Sequence, residues 1–170
     1  VRLTNVSDRY AAIAVQGPES KKLLMTLAGG RQLTTENVKN ALGTLKMEGR
    51  PVRIAKTGYT GEPIGYELYC RSEDARYFWD RLIELGAKPT ALGARDTTRM
   101  EAALPLYGHE MGECELGGEI PIYAVPLAKF AVSFAPEKGD FIGREALKKQ
   151  FEALKKIMNR DYSALADLPY

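Results

Sequence analysis

The chain has 170 residues, 45% of them hydrophobic, which is typical of a folded domain with an apolar core. Lys and Arg total 24 against 22 Asp and Glu, so the formal net charge of +2 lacks the basic excess of a nucleic-acid-binding domain. No apolar run reaches the roughly 18 residues that a membrane span needs, so we expect neither nucleic acid nor a membrane as a partner.

The N-terminal part predicts a strand followed by a helix. An apolar run over residues 10–15 ends at a Gln-Gly-Pro turn, which indicates a strand buried on both faces. One apolar face, made by Leu23, Leu24 and Leu27, predicts the helix. The polar residues 31–40 are expected to connect it to the next strand.

Three more strands follow in the prediction. Alternating residues at 45–47 and 52–54 flank Glu48-Gly49-Arg50-Pro51, which indicates a hairpin. Residues 66–70 predict the last of these strands. Because side chains alternate along a strand, Glu67 and its next-but-one neighbour should lie on the face opposite the apolar residues.

A helix is predicted after Ser72, which offers an N-cap, and its apolar positions include Phe78 and Trp79 as core residues. A short strand is then expected at 89–92. The order of strand, helix, strand, strand, helix and strand is typical of a ferredoxin-like split β-α-β core, so the predicted class is α+β.

The C-terminal part predicts a helix at 94–104, short strands and turns at 112–134, and a helix with a solvated basic face at 145–160. We expect a domain over residues 1–148, with 149–170 as a helical tail or linker.

Glu67 is open to two interpretations from the residues alone. A glutamate on the outer face of a strand is usually solvated. Its carboxylate would also suit a flat heterocycle that presents two parallel N–H donors, as the N3–H and 2-amino edge of a pterin does.

Other polar residues have plain explanations. Asp96 and Arg99 are spaced as a surface ion pair. His109 is the only histidine in the sequence, which argues against a His-rich metal site and makes a Ser-His-Asp triad improbable. Cys70 and Cys114 lack metal or disulfide spacing and are expected to be core thiols. No metal site is predicted.

Several motifs occur together in one order. They are Lys56-Thr57-Gly58-Tyr59-Thr60-Gly61-Glu62, Tyr66-Glu67-Leu68-Tyr69, Gly93-Ala94-Arg95-Asp96, Leu104-Pro105-Leu106-Tyr107-Gly108-His109-Glu110 and the segment Lys138 to Leu147. Over roughly residues 8–148 the chain closely resembles the T-protein family of the glycine cleavage system, whose members are about twice as long. The resemblance implies the ferredoxin-like core of the folate-binding type.

The resemblance also implies a function. T-proteins transfer an aminomethyl group from the lipoyl arm of a carrier protein, the H-protein, to tetrahydrofolate and release ammonia. It implies that Glu67 binds the pterin, that Tyr59 lines the folate pocket, that Arg95 supplies a cation there and that Tyr107 closes the pocket. The family's catalytic aspartate lies upstream of the Gln-Gly-Pro segment, so no residue here is expected to be the general acid or base.

Two further expectations concern folding and location. The 170 residues alone should fold without turning over, and the location should be cytoplasmic in a bacterium or mitochondrial in a eukaryote. Two related functions remain open: a folate-dependent module of a dimethylglycine or sarcosine demethylase-type enzyme, and a non-enzymatic folate-binding accessory protein of iron–sulfur assembly. The second group carries a cysteine-containing motif that Thr57 to Glu62 does not match.

Overall fold

The computed structural model describes residues 2–33, 40–115, 117–125 and 127–167. They fall into two compact units, Val1–Leu104 and Pro105–Tyr170. Much of the connection expected at residues 31–40 lies outside the described residues. No helix within the described ranges is long and apolar enough to cross a bilayer.

The described residues of the first unit form one sheet and three α-helices, together with short 3-10 helices at Ser7–Arg9 and Ser72–Asp74. In chain order the main elements are β1 Tyr10–Gln16, α1 Ser20–Leu27, β2 Leu42–Met47, β3 Arg50–Lys56, β4 Gly65–Arg71, α2 Ala75–Glu84 and α3 Leu92–Glu101.

The sheet has the order β1-β4-β3-β2, and every neighbouring pair is antiparallel. β1 and β3 therefore run in the same direction with β4 between them. The helix α1 leads from β1 to β2, and β2 runs antiparallel to β1, so the helix does not join the two parallel strands as it would in the predicted split β-α-β core. The predicted α+β class is confirmed.

The core of the first unit lies on one face of the sheet. Leu24 and Leu27 of α1 and Phe78 and Leu82 of α2 are buried there with apolar side chains from all four strands. This burial supplies most of the stability of the unit, since each large side chain removed from water contributes roughly 1.5–3 kcal/mol. The opposite face of the sheet carries no residue of this buried cluster.

The hairpin between β2 and β3 is as predicted, and its turn is tied to α2. Glu48 and Gly49 both have positive φ, at 47° and 81°, as a two-residue type I′ turn requires. The Glu48 carboxylate accepts hydrogen bonds from Tyr77 at 2.6 Å and from Arg81 at 2.8 Å. The Arg81 and Tyr77 bonds lower the pKa of Glu48.

Two strand predictions were wrong. β1 is not buried on both faces, because Ala12 and Ala14 are exposed while Val15 is buried. The strand expected at 89–92 is not formed, since residues 87–91 have no regular structure and α3 begins at Leu92.

Two predictions about the second helix were also wrong. Trp79 is 44% exposed rather than in the core, whereas Phe78 is fully buried as expected. Ser72 does not cap α2, because a 3-10 helix precedes it and the Ser72 hydroxyl donates to the carbonyl of Asp8 at 3.0 Å.

The second unit contains the two-stranded pair β5 Gly112–Glu113 and β6 Glu119–Ile120, the short helix α4 Ala128–Ala131 and the longer α5 Arg144–Met158, with 3-10 helices at Ile122–Ala124, Pro136–Lys138 and Tyr162–Asp167. Its packing centres on Phe151 of α5, whose ring lies 5.3 Å from that of Tyr123 and 5.5 Å from that of Phe134. The lysines of α5 are exposed, as predicted. The domain boundary that we placed at residue 148 falls within this helix and stays a prediction.

Candidate functional site

Glu67 lies on the face of the sheet opposite the core of the first unit. Its neighbours Tyr66 and Leu68 in β4 are 1% and 0% exposed, while Glu67 and Tyr69 are half-buried. The strand alternation predicted for this segment is confirmed. Because β4 lies between β1 and β3, backbone hydrogen bonds on both sides hold the Cα atom of Glu67 in place.

Three hydroxyl groups converge on the Glu67 carboxylate. Tyr59 donates to Oε1 at 2.7 Å, while Tyr69 and Thr57 donate to Oε2 at 3.0 and 3.2 Å. Tyr69 is two residues along the same strand, and Thr57 immediately follows β3. We call Glu67, Tyr59, Tyr69 and Thr57 the carboxylate cluster.

The residues beside Glu67 on the neighbouring strands are small. Ala14 of β1 and Ala55 of β3 are its partners in the sheet register. Ala14 is exposed and Ala55 is half-buried. Since neither carries a side chain longer than a methyl group, no bulky side chain flanks Glu67 at these two positions of the sheet.

The loop that carries Tyr59 is closed at its base. The Thr57 amide donates to the Gly65 carbonyl at 3.1 Å, and Gly17 donates to Ile64 at 3.1 Å. Near its tip, Gly61 packs so closely against Ala102 that a Cβ atom at Gly61 would overlap the alanine methyl. The loop is therefore held both to the sheet and to the end of α3.

Arg95 on α3 reaches the other side of Tyr59. Its guanidinium carbon lies 5.3 Å from the centre of the Tyr59 ring, within the range of a cation–π contact. Tyr59 thus touches the carboxylate through its hydroxyl and the guanidinium through its ring. The Glu67 carboxylate and the Arg95 guanidinium therefore both lie next to Tyr59.

Burial and the neighbouring carboxylate change the acidity of both phenols. Burial raises the pKa of Tyr59 to about 12, with a further contribution from its hydrogen bond to Glu67, while Arg95 acts in the opposite direction. The same causes, burial first, raise the pKa of Tyr69. Both phenols are therefore neutral at physiological pH and act as hydrogen-bond donors to Glu67.

The structure brings together three of the four site residues that the sequence singled out: Glu67, Tyr59 and Arg95. Tyr107 belongs to the second unit and is 76% exposed, so its place in a pocket stays a prediction. Thr57 and Tyr69 were not predicted as partners of Glu67. The alternation already placed Tyr69 on the same face, and this signal could have found it.

Arg99 was also misjudged. It is 2% exposed, and its Nε donates to Asp96 at 2.7 Å while Nη1 donates to the Leu104 carbonyl at 3.2 Å. The expected surface pair therefore joins a buried arginine to a partly exposed aspartate, whose side chains are 3% and 30% exposed. The bond from Arg99 to Leu104 ties α3 to the segment after it.

The remaining polar candidates add no second site. Cys70 is buried and Cys114 half-buried, both as free thiols, and burial raises the pKa of Cys70. His109 is exposed. Among the described residues, no group of three or more His, Cys, Asp or Glu side chains is arranged to hold a metal ion.

Comparison with known proteins identifies relatives. Residues 1–116 match the family described as the GCVT N-terminal domain. The chain is 40% identical over 160 residues to an aminomethyltransferase of Bacillus mycoides, covering 89% of this chain and 40% of that protein. It is 43% identical over 156 residues to an aminomethyltransferase of Halalkalibacterium halodurans, with 89% and 40% covered, and 48% identical over 113 residues to one of Thermus thermophilus, with 66% and 32% covered. The chain thus spans about 40% of the length of the first of these relatives.

Proposed function

The chain belongs to the GCVT N-terminal domain family, and on that basis we propose that it is the folate-binding part of a tetrahydrofolate-dependent aminomethyltransferase of the glycine cleavage system. In the proposed reaction an aminomethyl group passes from the lipoyl arm of the H-protein to tetrahydrofolate, and ammonia is released. The observation that carries the proposal is the Glu67 carboxylate on the sheet face opposite the core, with Tyr59 and Arg95 beside it.

The proposed role of the carboxylate cluster is to bind and orient tetrahydrofolate. The N3–H and 2-amino groups of a pterin are two parallel donors, and a carboxylate accepts such a pair with charge-assisted hydrogen bonds. The register partners of Glu67, Ala14 and Ala55, are small, which favours the approach of a flat ring to the carboxylate. Positioning of this kind accelerates a transfer because the reacting carbon is held near its acceptor before the reaction begins.

Arg95 and Tyr59 have complementary proposed roles. The Tyr59 ring supplies apolar area next to the ligand and its hydroxyl keeps the carboxylate turned toward the site. The Arg95 cation balances the charge of Glu67 and attracts an anionic substrate such as folate. No described residue is proposed as the general acid or base, and Tyr107 is proposed to help close the pocket.

The fold and the relatives support the finer parts of the proposal. The family match over residues 1–116 supports a fold of the T-protein folate-binding type. All three relatives named above come from bacteria, which supports a cytoplasmic location. Each is named as an aminomethyltransferase, so neither the demethylase module nor the iron–sulfur accessory protein is favoured.

The test is a transfer assay on the full-length protein, with aminomethylated H-protein and tetrahydrofolate as substrates. We expect ammonia and methylenetetrahydrofolate to form together, and Glu67→Gln to slow their formation about tenfold or more, the effect of losing a hydrogen bond to a charged group. Glu73→Gln is the matched control, since Glu73 is an exposed carboxylate that forms a long ion pair with Arg71 at 3.6 Å. Absence of product from the wild type would overturn the proposal.

A further inference from the structure

The two oxygens of the Glu67 carboxylate are not equally occupied. A carboxylate has about four acceptor positions, two on each oxygen. Within the described part of the chain, Oε2 accepts two hydrogen bonds, from Tyr69 and Thr57, and Oε1 accepts one, from Tyr59. Oε2 is therefore fully used by the protein, and one position on Oε1 stays open.

This occupancy matters for any ligand that presents two parallel N–H donors. Such a ligand pairs with a carboxylate in a fork, with one donor on each oxygen. The open position on Oε1 is an acceptor for the first donor. The second donor needs a position on Oε2, and both are already filled by hydroxyls. One hydroxyl must therefore leave Oε2 before the fork can form.

Thr57 is the hydroxyl that can leave. Its bond of 3.2 Å is longer than the 2.5–3.0 Å typical of O–H···O bonds, whereas the Tyr69 bond of 3.0 Å lies at the edge of that range. Tyr69 sits within β4, between two paired strands, and its ring fixes the direction of its hydroxyl. Thr57 lies beyond the end of β3, and a rotation about its Cα–Cβ bond moves the hydroxyl while the backbone bond to Gly65 stays in place.

We propose that Thr57 is a displaceable partner of Glu67, whose hydroxyl occupies in the free protein the acceptor position that the second N–H donor of a bidentate ligand takes on binding. Tyr69 is the permanent positioning residue on the same oxygen. The inference rests on the proposed function in taking tetrahydrofolate as the natural ligand of this carboxylate. The exchange itself concerns any ligand with that donor edge.

The exchange predicts that removal of the Thr57 hydroxyl strengthens ligand binding, although the hydroxyl is a hydrogen-bond partner of Glu67 in the free protein. Thr57→Val removes the competing hydroxyl and keeps the volume, so it should bind tetrahydrofolate more tightly than the wild type, by about 2- to 10-fold, the usual range for one net hydrogen bond. Thr57→Ser keeps the hydroxyl and should stay within about twofold of the wild type. Tyr69→Phe removes the permanent partner and should bind more weakly.

Two titrations of the full-length protein test the exchange. Calorimetry with tetrahydrofolate gives the dissociation constant of each variant, with Thr57→Ala replacing Thr57→Val if the valine variant does not fold. Methylguanidinium, a small ion with two parallel N–H donors, is titrated in parallel and followed by the 13C signal of the Glu67 carboxylate. Tighter binding of both probes by the variant that lacks the hydroxyl is the expected result.

The two titrations distinguish failure of the Thr57 exchange from failure of the proposed folate-binding function. Equal or weaker methylguanidinium binding by Thr57→Val would overturn the exchange, whether or not tetrahydrofolate binds. Tighter methylguanidinium binding together with no tetrahydrofolate binding by the wild type would uphold the exchange and overturn the proposed function.

Discussion

The hydroxyl of Tyr59 donates to Oε1 of Glu67 at 2.7 Å, across the gap between the loop after β3 and the central strand β4. The same tyrosine carries the Arg95 guanidinium over its ring at 5.3 Å. One loop residue therefore contacts both charged members of the candidate site. Changes in either charge should be measurable at Tyr59.

The first prediction concerns the titration of Tyr59. Its pKa is raised to about 12, so Glu67→Gln should lower it toward the ordinary value of 10, because the neutral amide no longer opposes formation of the phenolate. NMR of 13Cζ-labelled tyrosine, assigned with Tyr59→Phe, measures the shift. An unchanged pKa would mean that the Tyr59–Glu67 bond is not formed in solution.

The same pKa makes stability depend on alkaline pH. Because the folded-state pKa of Tyr59 is raised above its unfolded value of 10, its contribution to stability is complete below pH 10 and is lost as pH rises through about 12. Wild type should therefore lose more unfolding free energy than Tyr59→Phe between pH 9 and pH 11.5, measured by urea unfolding. Parallel losses in the two proteins would contradict this.

Glu67 and Arg95 are predicted to be energetically coupled. Both contact Tyr59, so removing one changes the environment of the other. The tetrahydrofolate affinities of Glu67→Ala, Arg95→Ala and the double variant should deviate from additivity by roughly 0.5–3 kcal/mol. Strictly additive losses would place the two residues in separate sites.

Gly61 is predicted to be intolerant of a side chain. Its φ is +95°, and a Cβ atom there would overlap Ala102, so Gly61→Ala should displace the Tyr59 loop and reduce the free energy of unfolding by about 1–3 kcal/mol. It should also weaken tetrahydrofolate binding. Gly93→Ala in α3 is the matched control, because its Cβ would meet open space and the change should stabilise by about 0.4–1 kcal/mol. Equal stability of the two variants would argue against the loop–helix contact.

The hairpin, the β4 strand and the helical stripe of α2 were predictable because each depends on local spacing. The exposure of Trp79 was not predictable. Trp79 follows the buried Phe78 on the apolar face of α2, and periodicity does not specify how much of that face the sheet covers. Ser72 has the chemistry of a cap, but its hydroxyl donates instead to Asp8, 64 residues away. A contact of that separation leaves no local signal.

The candidate site was predictable in part. Strand alternation placed Glu67 on the outer face, and the motif resemblance singled out Tyr59 and Arg95. Thr57 was missed because its approach to Glu67 depends on the register between β3 and β4, which the sequence does not specify. Arg99 was missed because its burial depends on what packs around α3, and i,i+3 spacing carries no information about that.

The central claim is that Glu67 binds tetrahydrofolate, and titration of the full-length wild type and Glu67→Gln with tetrahydrofolate tests it most directly. Glutamine keeps the shape and one acceptor oxygen, so thermal unfolding of the two proteins should be similar. We expect the dissociation constant of Glu67→Gln to rise about tenfold or more, since a hydrogen bond to a charged group is worth roughly 1.5–3 kcal/mol. An unchanged dissociation constant would remove Glu67 from the folate site and contradict the proposed function of the cluster.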